Sequence, residues 1–266
     1  MELESYIVNA FADSPGRGNR AGVVVSPEHP PEEAMQLVAA DIGASETAFI
    51  APDGMLWNIR WFSPVKEMPL CGHATLAASR VLFGKEPWSD GLVFRYAGGT
   101  LPVRRHADDS IGMDFPLDDY LRFPPDPAFD AFFGPLHLKD CICGSRTKKV
   151  ILVTGEETDL AEISPNFTRM AEYRGLCSSG IAVTKASAVY DFESRYFNPW
   201  AGVNEDPVTG SVHTVLARYW SEELKKRSLT AFQNSWRSGR LLLEVGDDTV
   251  EIRGKARIVL QGTFFL

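Results

Sequence analysis

Glu46, Cys71, His73 and Asp206 are the side chains whose types and spacing could move a proton. Cys71-Gly72-His73-Ala74 opens one apolar run, and Thr209-Gly210-Ser211-Val212 opens another. Each run follows a related stretch, Arg60-Trp61-Phe62-Ser63-Pro64 in one case and Arg195-Tyr196-Phe197-Asn198-Pro199 in the other. From Gly72 to Arg80, and from Gly210 to Arg218, the count is the same eight steps. One passage is therefore present twice. Two related halves that face each other create a cleft, and the positions where the copies differ are candidates for chemistry.

A buried helix whose first turn reads Gly-His or Gly-Ser presents free backbone N–H groups at its positive end, where a carboxylate can be held. The alternative is that Gly72 and Gly210 only pack tightly against strands. Glu46 borders the apolar Ala48-Phe49-Ile50, so a desolvated carboxyl with a pKa raised from about 4.3 toward roughly 6–7 is one expectation. A solvated strand-end glutamate is the other. Asp206-Pro207 stands shortly before Gly210 and reads as a turn or cap, as a second acid, or as a partner that orients His73. His73 occupies the first turn of the proposed anion site. His213 sits one turn inside its helix and reads as structural, while His29, His106 and His137 read as surface or loop residues. Trp57, Trp61, Tyr196, Phe197 and Trp200 could line an apolar wall, although aromatic residues on strands are more often core.

The elements that must position these groups are short strands with few helices. Tyr6–Phe11, Gly22–Val25, Thr47–Ile50, Trp57–Phe62, Leu92–Tyr96 and Thr100–Arg104 read as strands bounded by Gly, Pro or Asp, with a hairpin at Gly98-Gly99. Pro30-Pro31-Glu32-Glu33 starts a helix running to about Asp41. Residues Pro116 to Pro135 hold five prolines and read as a linker with one short helix. Beyond it Lys149–Thr154 and Gly180–Thr184 read as strands flanking a helix over Leu160–Arg174. Strands follow near Leu241–Val245, Thr249–Ile252 and Ala256–Leu260. Gly43-Ala44-Ser45-Glu46 aligns with Gly175-Leu176-Cys177-Ser178, so Glu46 faces Ser178 in the repeat. Both glycine-led runs are apolar on nearly every face, as a helix buried on all sides must be. The expected architecture is α+β. Two pseudo-symmetric halves, residues 1–118 and 119–266, each wrap a β-barrel or β-roll around a central helix, and the last strand is available to complete the first half.

A net charge of −8 and a pI near 5.2 argue against nucleic acid or an anionic membrane as partner. The attraction of a small carboxylate substrate would then be local. No apolar stretch approaches the roughly 20 residues of a membrane-spanning helix. The N-terminus has no basic, apolar, small-residue succession, so Cys71, Cys141, Cys143 and Cys177 read as reduced thiols of a cytoplasmic protein. Cys141-Ile142-Cys143 has the wrong spacing for a zinc knuckle. Glycine-rich nucleotide loops, a Gly-x-Ser-x-Gly elbow and His-Glu-x-x-His are absent. Proton transfer without cofactor or metal is what remains.

With these residues in place, the chain resembles the phenazine-biosynthesis isomerase (PhzF-like) family, within the diaminopimelate-epimerase-like superfamily. The matching stretches are Val8-Asn9-Ala10-Phe11 through Gly18-Asn19, Ser45-Glu46-Thr47, Phe62-Ser63-Pro64 with Cys71-Gly72-His73-Ala74-Thr75, and Asp191-Phe192 with Ser194-Arg195. Glu205-Asp206-Pro207-Val208-Thr209-Gly210-Ser211 is the strongest, and Gln233-Asn234-Ser235 with Arg237 and Gly239 extends the match. The resemblance implies a two-domain fold, a homodimer, and cofactor-free isomerisation of a small acid. It assigns Glu46 as acid/base, His73 and Asp206 as polar active-site groups, and Gly72 and Ser211 as substrate contacts. Racemases of the superfamily use two thiols. Here Cys71 holds the first place and Thr209 the second, which disfavours two-thiol chemistry but leaves a Cys71-assisted epimerase, or a non-catalytic metabolite-binding protein, as alternatives.

Overall fold

Short runs rich in β-branched and aromatic residues, bounded by Gly, Pro or Asp, make the chain β-rich. In chain order the elements begin with β1 (Glu2–Ala10), β2 (Asn19–Val25), α1 (Glu32–Ile42), β3 (Glu46–Asp53), β4 (Leu56–Phe62), β5 (Glu67–Met68), α2 (Gly72–Lys85), β6 (Gly91–Tyr96), β7 (Gly99–Arg105) and β8 (Ile111–Pro116). They continue with β9 (Tyr120–Arg122), α3 (Ala128–Phe133), β10 (Leu138–Gly144), β11 (Val150–Thr154), α4 (Phe167–Glu172), β12 (Ile181–Ala186), β13 (Phe192–Asn198) and β14 (Val203–Glu205). The last are α5 (Gly210–Leu224), β15 (Ser228–Gln233), β16 (Gly239–Val245), β17 (Thr249–Gly254) and β18 (Ala256–Phe265).

The computed structural model describes residues 1–175 and 179–266. It divides into two units, residues 1–114 with 253–266, and residues 115–252. The division therefore falls a few residues before position 118. Residues 253–266 go with the first unit because β18 runs antiparallel along β1 from Phe265 opposite Glu2 to Ala256 opposite Ala10. Among the described residues, no helix is long and apolar enough to cross a membrane.

Within each unit the same pairing sequence recurs. In the first, β2 lies parallel to β3, β3 antiparallel to β4, β4 parallel to β6 and β6 antiparallel to β7. In the second, β11 lies parallel to β12, β12 antiparallel to β13, β13 parallel to β15 and β15 antiparallel to β16. A helix precedes β6 in one and β15 in the other, and these are the two glycine-led runs. From His73 to Phe83 every residue of α2 except Arg80 is buried, against β1, β2, β3 and β18. Helix α5 buries Val212 to Ala217, Tyr219 and Trp220, and contacts β15 and β16. Also in the first unit, Met35, Val38 and Ala39 of α1 pack with Leu3, Val24, Phe49 and Phe62.

Two expectations from sequence fail. The segment between Pro116 and Pro135 is not a linker. It forms β9 and α3, and Phe129, Phe132 and Phe133 join Leu152, Met170, Val183 and Phe197 in the core of the second unit. Burial of each such ring contributes about 1.5–3 kcal/mol, enough to override the turn-forming prolines around it. The continuous helix expected over Leu160–Arg174 is a single 3-10 turn at Leu160–Glu162 followed by the short α4. Pro165 lacks a backbone donor and disfavours helical geometry at Ser164, so the chain restarts at Asn166, whose side chain accepts from the Arg169 N–H at 3.1 Å.

One ionic clamp is also duplicated, built on the two arginines that open the repeated stretches. Arg60 Nε and Nη2 bond the Glu67 carboxylate at 2.7 and 2.8 Å, and Arg195 Nε and Nη2 bond Glu205 at 2.7 and 3.0 Å. Each clamp fixes the short strand that leads into a central helix. The copies differ in burial, since Arg195 and Glu205 side chains are only 10% and 11% exposed against 31% and 40% for Arg60 and Glu67. Arg195 additionally donates to the carbonyls of Leu160 and Ile163, both at 2.7 Å. Arg195→Ala is accordingly expected to lose about 3–5 kcal/mol of unfolding free energy, and Arg60→Ala about 1 kcal/mol or less. Urea denaturation of both variants measures the difference, and equal losses would show that burial of the second clamp is energetically irrelevant.

Candidate active site

Strand β3 begins at Glu46 because Gly43, with φ +62°, ends α1 in the left-handed conformation and turns the chain toward β2. Glu46 then lies opposite Ala21 in the parallel β2–β3 ladder. Cys71 is the N-cap of α2 in extended geometry, and no side chain caps the helix's first turn. Gly72 and His73 follow in that turn. Thr75 secures the start, since its Oγ1 donates to Cys71 O at 2.7 Å.

These elements bring three groups together. His73 Nε2 lies 3.2 Å from Glu46 Oε2 and 3.1 Å from Ser45 Oγ. Cys71 Sγ is 3.5 Å from His73 Nδ1 and 4.0 Å from Nε2. Ser45 Oγ in turn reaches Asn19 Oδ1 at 3.2 Å and Arg20 O at 3.1 Å. The His73 and Glu46 side chains are 9% and 19% exposed, so the pair is largely withdrawn from water.

The expectation of a raised Glu46 pKa is overturned. Burial pushes this carboxyl up, but the His73 hydrogen bond and charge, with bonds from Ser45 and Cys71, outweigh it and hold the pKa below its ordinary 4.5. Burial alone would lower His73, yet the adjoining Cys71 and Glu46 raise it well above 6.5. Burial also raises Cys71, which therefore stays a neutral thiol and acts on the ring as a hydrogen-bond partner. Cys71 and Glu46 together keep the imidazolium, and Glu46 brings a full negative charge to it. At neutral pH the site holds a carboxylate, an imidazolium and a thiol, able to accept a proton, stabilise developing negative charge and donate.

The second unit arranges its helix start differently. Thr209 Oγ1 donates to Asp206 Oδ2. Gln233, fully buried, accepts from the Thr209 N–H at 2.8 Å and donates to Asp206 O at 2.7 Å. Ser235 Oγ donates to Pro207 O at 2.7 Å. Ser211 is exposed, and a Cβ added at Gly210 would meet open space, so close packing does not explain that glycine. His213 is buried with a pKa lowered to about 4 by burial, its Nδ1 bonded to Thr209 O at 2.7 Å. Asp206 therefore adjoins the α5 start, whereas Glu46, Cys71 and His73 gather at that of α2.

Ladder register revises the internal alignment. Ser178 lies outside the described residues. Phe62 and Phe197 are equivalent, and they face Thr47 and Ile181 across their ladders, which makes Gly180 the counterpart of Glu46. Gly180 has φ +96°, and a Cβ there would fall 2.3 Å from Tyr196 Oη, so neither conformation nor space admits a side chain. Its neighbour across the β11–β12 pair is Lys149, one residue before Val150. Lys149 Nζ donates to Tyr196 Oη at 2.6 Å and to Ser179 O at 3.3 Å. Burial lowers its pKa to about 8 against the opposing pull of Asp206. Sequence reading missed Lys149 and Gln233, although Gln233 stands in a stretch it had singled out. Trp61, Tyr196 and Phe197 are core residues.

Strands curled around a central helix, once in each unit, define a diaminopimelate-epimerase-like fold. The sequence family described as phenazine biosynthesis-like protein matches residues 8–262, and the chain belongs to it. A Pseudomonas aeruginosa protein named as an uncharacterized isomerase is 41% identical, over 100% of both chains. The crystal structure of a phenazine biosynthesis protein of the PhzF family from Enterococcus faecalis superposes with a TM-score of 0.94 at 36% identity, again over 100% of both chains. A hydroxyproline epimerase from Agrobacterium vitis shares the fold alone, with a TM-score of 0.60 and 9% identity over 98% of this chain and 92% of that one. The family supports an isomerase-type enzyme.

The ion pair has a pH signature. A lowered glutamate contributes stability that is present above pH 4.5 and lost as the pH falls through its folded pKa. A raised histidine contributes stability that is present below pH 6.5 and lost as the pH rises through its own folded pKa. Both contributions therefore coexist between those limits. NMR titration should find the His73 ring protonated well above pH 6.5, and Glu46→Gln should move its midpoint down. An unmoved midpoint would mean that Glu46 does not hold the charge.

Proposed function

We propose that the protein is a cofactor-independent isomerase acting on a small carboxylated substrate, with Glu46 as the acid/base. The observation that carries this reading is the withdrawal of Glu46 from water against His73 at the uncapped start of α2. The substrate carboxylate is held by the N–H groups of that first turn at Gly72 and by the helix dipole. Ionised Glu46 takes a proton from a substrate carbon, and the electron pair shifts into the adjoining unsaturated system. His73 donates a hydrogen bond to the charge that develops there. Protonated Glu46 then returns the proton to a different carbon and ends the cycle ionised. Within the second unit, Asp206 and Gln233 set the α5 start, where the exposed Ser211 and the open space at Gly210 leave room for a polar group. The P. aeruginosa relative's name and the family agree with isomerisation.

Substrate-dependent incorporation of solvent deuterium into carbon tests the role. Glu46→Gln should lower it by roughly 10²-fold or more while leaving the melting transition cooperative. Retained exchange would remove Glu46 from the reaction. A second reading is favoured by Cys71 Sγ standing 3.5 Å from His73 Nδ1, which puts a thiol in the same cluster. Under that epimerase reading, Cys71→Ser abolishes exchange and Glu46→Gln is tolerated. Tight binding of small carboxylates without any exchange would instead identify a metabolite-binding protein.

We also propose a second copy of this chain as partner. Strand β18 is solvent-exposed from Arg257 to Thr263, on both faces, and it shows Ile258, Val259 and Leu260 at 39%, 51% and 56% exposure. An apolar, two-sided strand is suited to antiparallel pairing with itself about a twofold axis. Sedimentation should give a dimer that Val259→Lys together with Leu260→Lys converts to monomer. A wild-type monomer at all concentrations would refute the assembly.

A further inference from the structure

Glu46, Cys71 and His73 form a donor set of three different chemical types. One oxygen, one sulfur and one nitrogen atom of these residues all lie within 4.8 Å of one another. A tetrahedral centre with bonds of about 2.0–2.3 Å separates its donor atoms by roughly 3.3–3.6 Å. The Glu46 Oε2 to His73 Nε2 distance is 3.2 Å, and Cys71 Sγ to the same nitrogen is 4.0 Å. The oxygen–nitrogen edge already matches, while the thiol, 3.5 Å from Nδ1, must rotate from the ring toward Nε2 and the carboxylate to complete the set.

We propose that this cluster is a binding site for a single Zn²⁺ ion, which inhibits the enzyme by occupying Glu46. Thiolate with imidazole selects zinc over magnesium or calcium, whose ligands are oxygens. Binding releases the Cys71 thiol proton and the His73 imidazolium proton to solvent, and the divalent cation on one thiolate, one carboxylate and a neutral imidazole is then an assembly of zero net charge, which a site this buried accommodates without stranding a charge. Three protein donors leave a fourth position for water. Ser45 Oγ, 3.1 Å from His73 Nε2, and Asn19 beyond it form the polar surroundings. The binding site stands on the geometry alone. Its inhibitory effect rests on Glu46 being the acid/base.

Calorimetric titration of the metal-free protein with zinc chloride is expected to show saturable binding of about one ion per chain. Loss of a donor weakens such a site more than roughly tenfold, so Cys71→Ser and Glu46→Gln should each do so. Cobalt(II) in place of zinc should give the visible bands of a tetrahedral centre and a thiolate charge-transfer band that Cys71→Ser removes. Unchanged melting of the metal-free variants shows that the fold is intact, and Glu46→Gln keeps the comparison if Cys71→Ser is unstable. No saturable binding, or equal zinc affinity in both variants, would overturn the site. Deuterium exchange should stop at saturating zinc and return with EDTA. Exchange that persists with zinc bound would overturn the inhibition while leaving the measured site in place.

Discussion

Glu46 and His73 keep charges that burial alone would suppress. Burial opposes both ionised forms, and the first turn of α2 adds a positive end that disfavours an imidazolium. Cys71 beside the ring and the Glu46–His73 contact at 3.2 Å reverse both tendencies. The arrangement of the first unit serves that contact. Gly43 turns the chain so that β3 begins at Glu46, the Arg60–Glu67 clamp fixes β5 on the approach to Cys71, and the buried body of α2 anchors its first turn among β1, β2, β3 and β18.

Duplication made this possible without making it twice. What the copies share is structural, namely the order of parallel and antiparallel pairs, the central helix and the arginine–glutamate clamp. What they do not share is chemical. Cys71 corresponds to Thr209 and His73 to Ser211, while Glu46 corresponds to Gly180, where space and backbone both exclude a side chain. The second unit has moved its polar groups to other positions, with Lys149 against Tyr196 and Asp206 tied to Thr209 near Gln233. A barrel built around a helix tolerates such divergence because its stability comes from the apolar faces, and the helix start is left for chemistry.

Much of the fold was legible because it rests on local physics. The two central helices announced themselves by being apolar on every face, and the strands by turn residues at their ends. The segments misread, Pro116–Pro135 and Leu160–Arg174, are those where composition and packing disagree. Prolines suggested a linker around phenylalanines that the core of the second unit needed, and the helix expected over Leu160–Arg174 ran across Pro165, which breaks it.

The candidate site divides in the same way. Sequence by itself identified the duplication, the two glycine-led helices, the family and the residue types Glu46, Cys71 and His73, because these follow from order along the chain. Only the tertiary structure decided which of them meet, that Asp206 belongs with Thr209 and Gln233, and that Glu46 is held ionised. Proton affinity depends on distances of a few ångströms between residues far apart in sequence, and on how much water reaches them. Neither is a property of the chain until it folds.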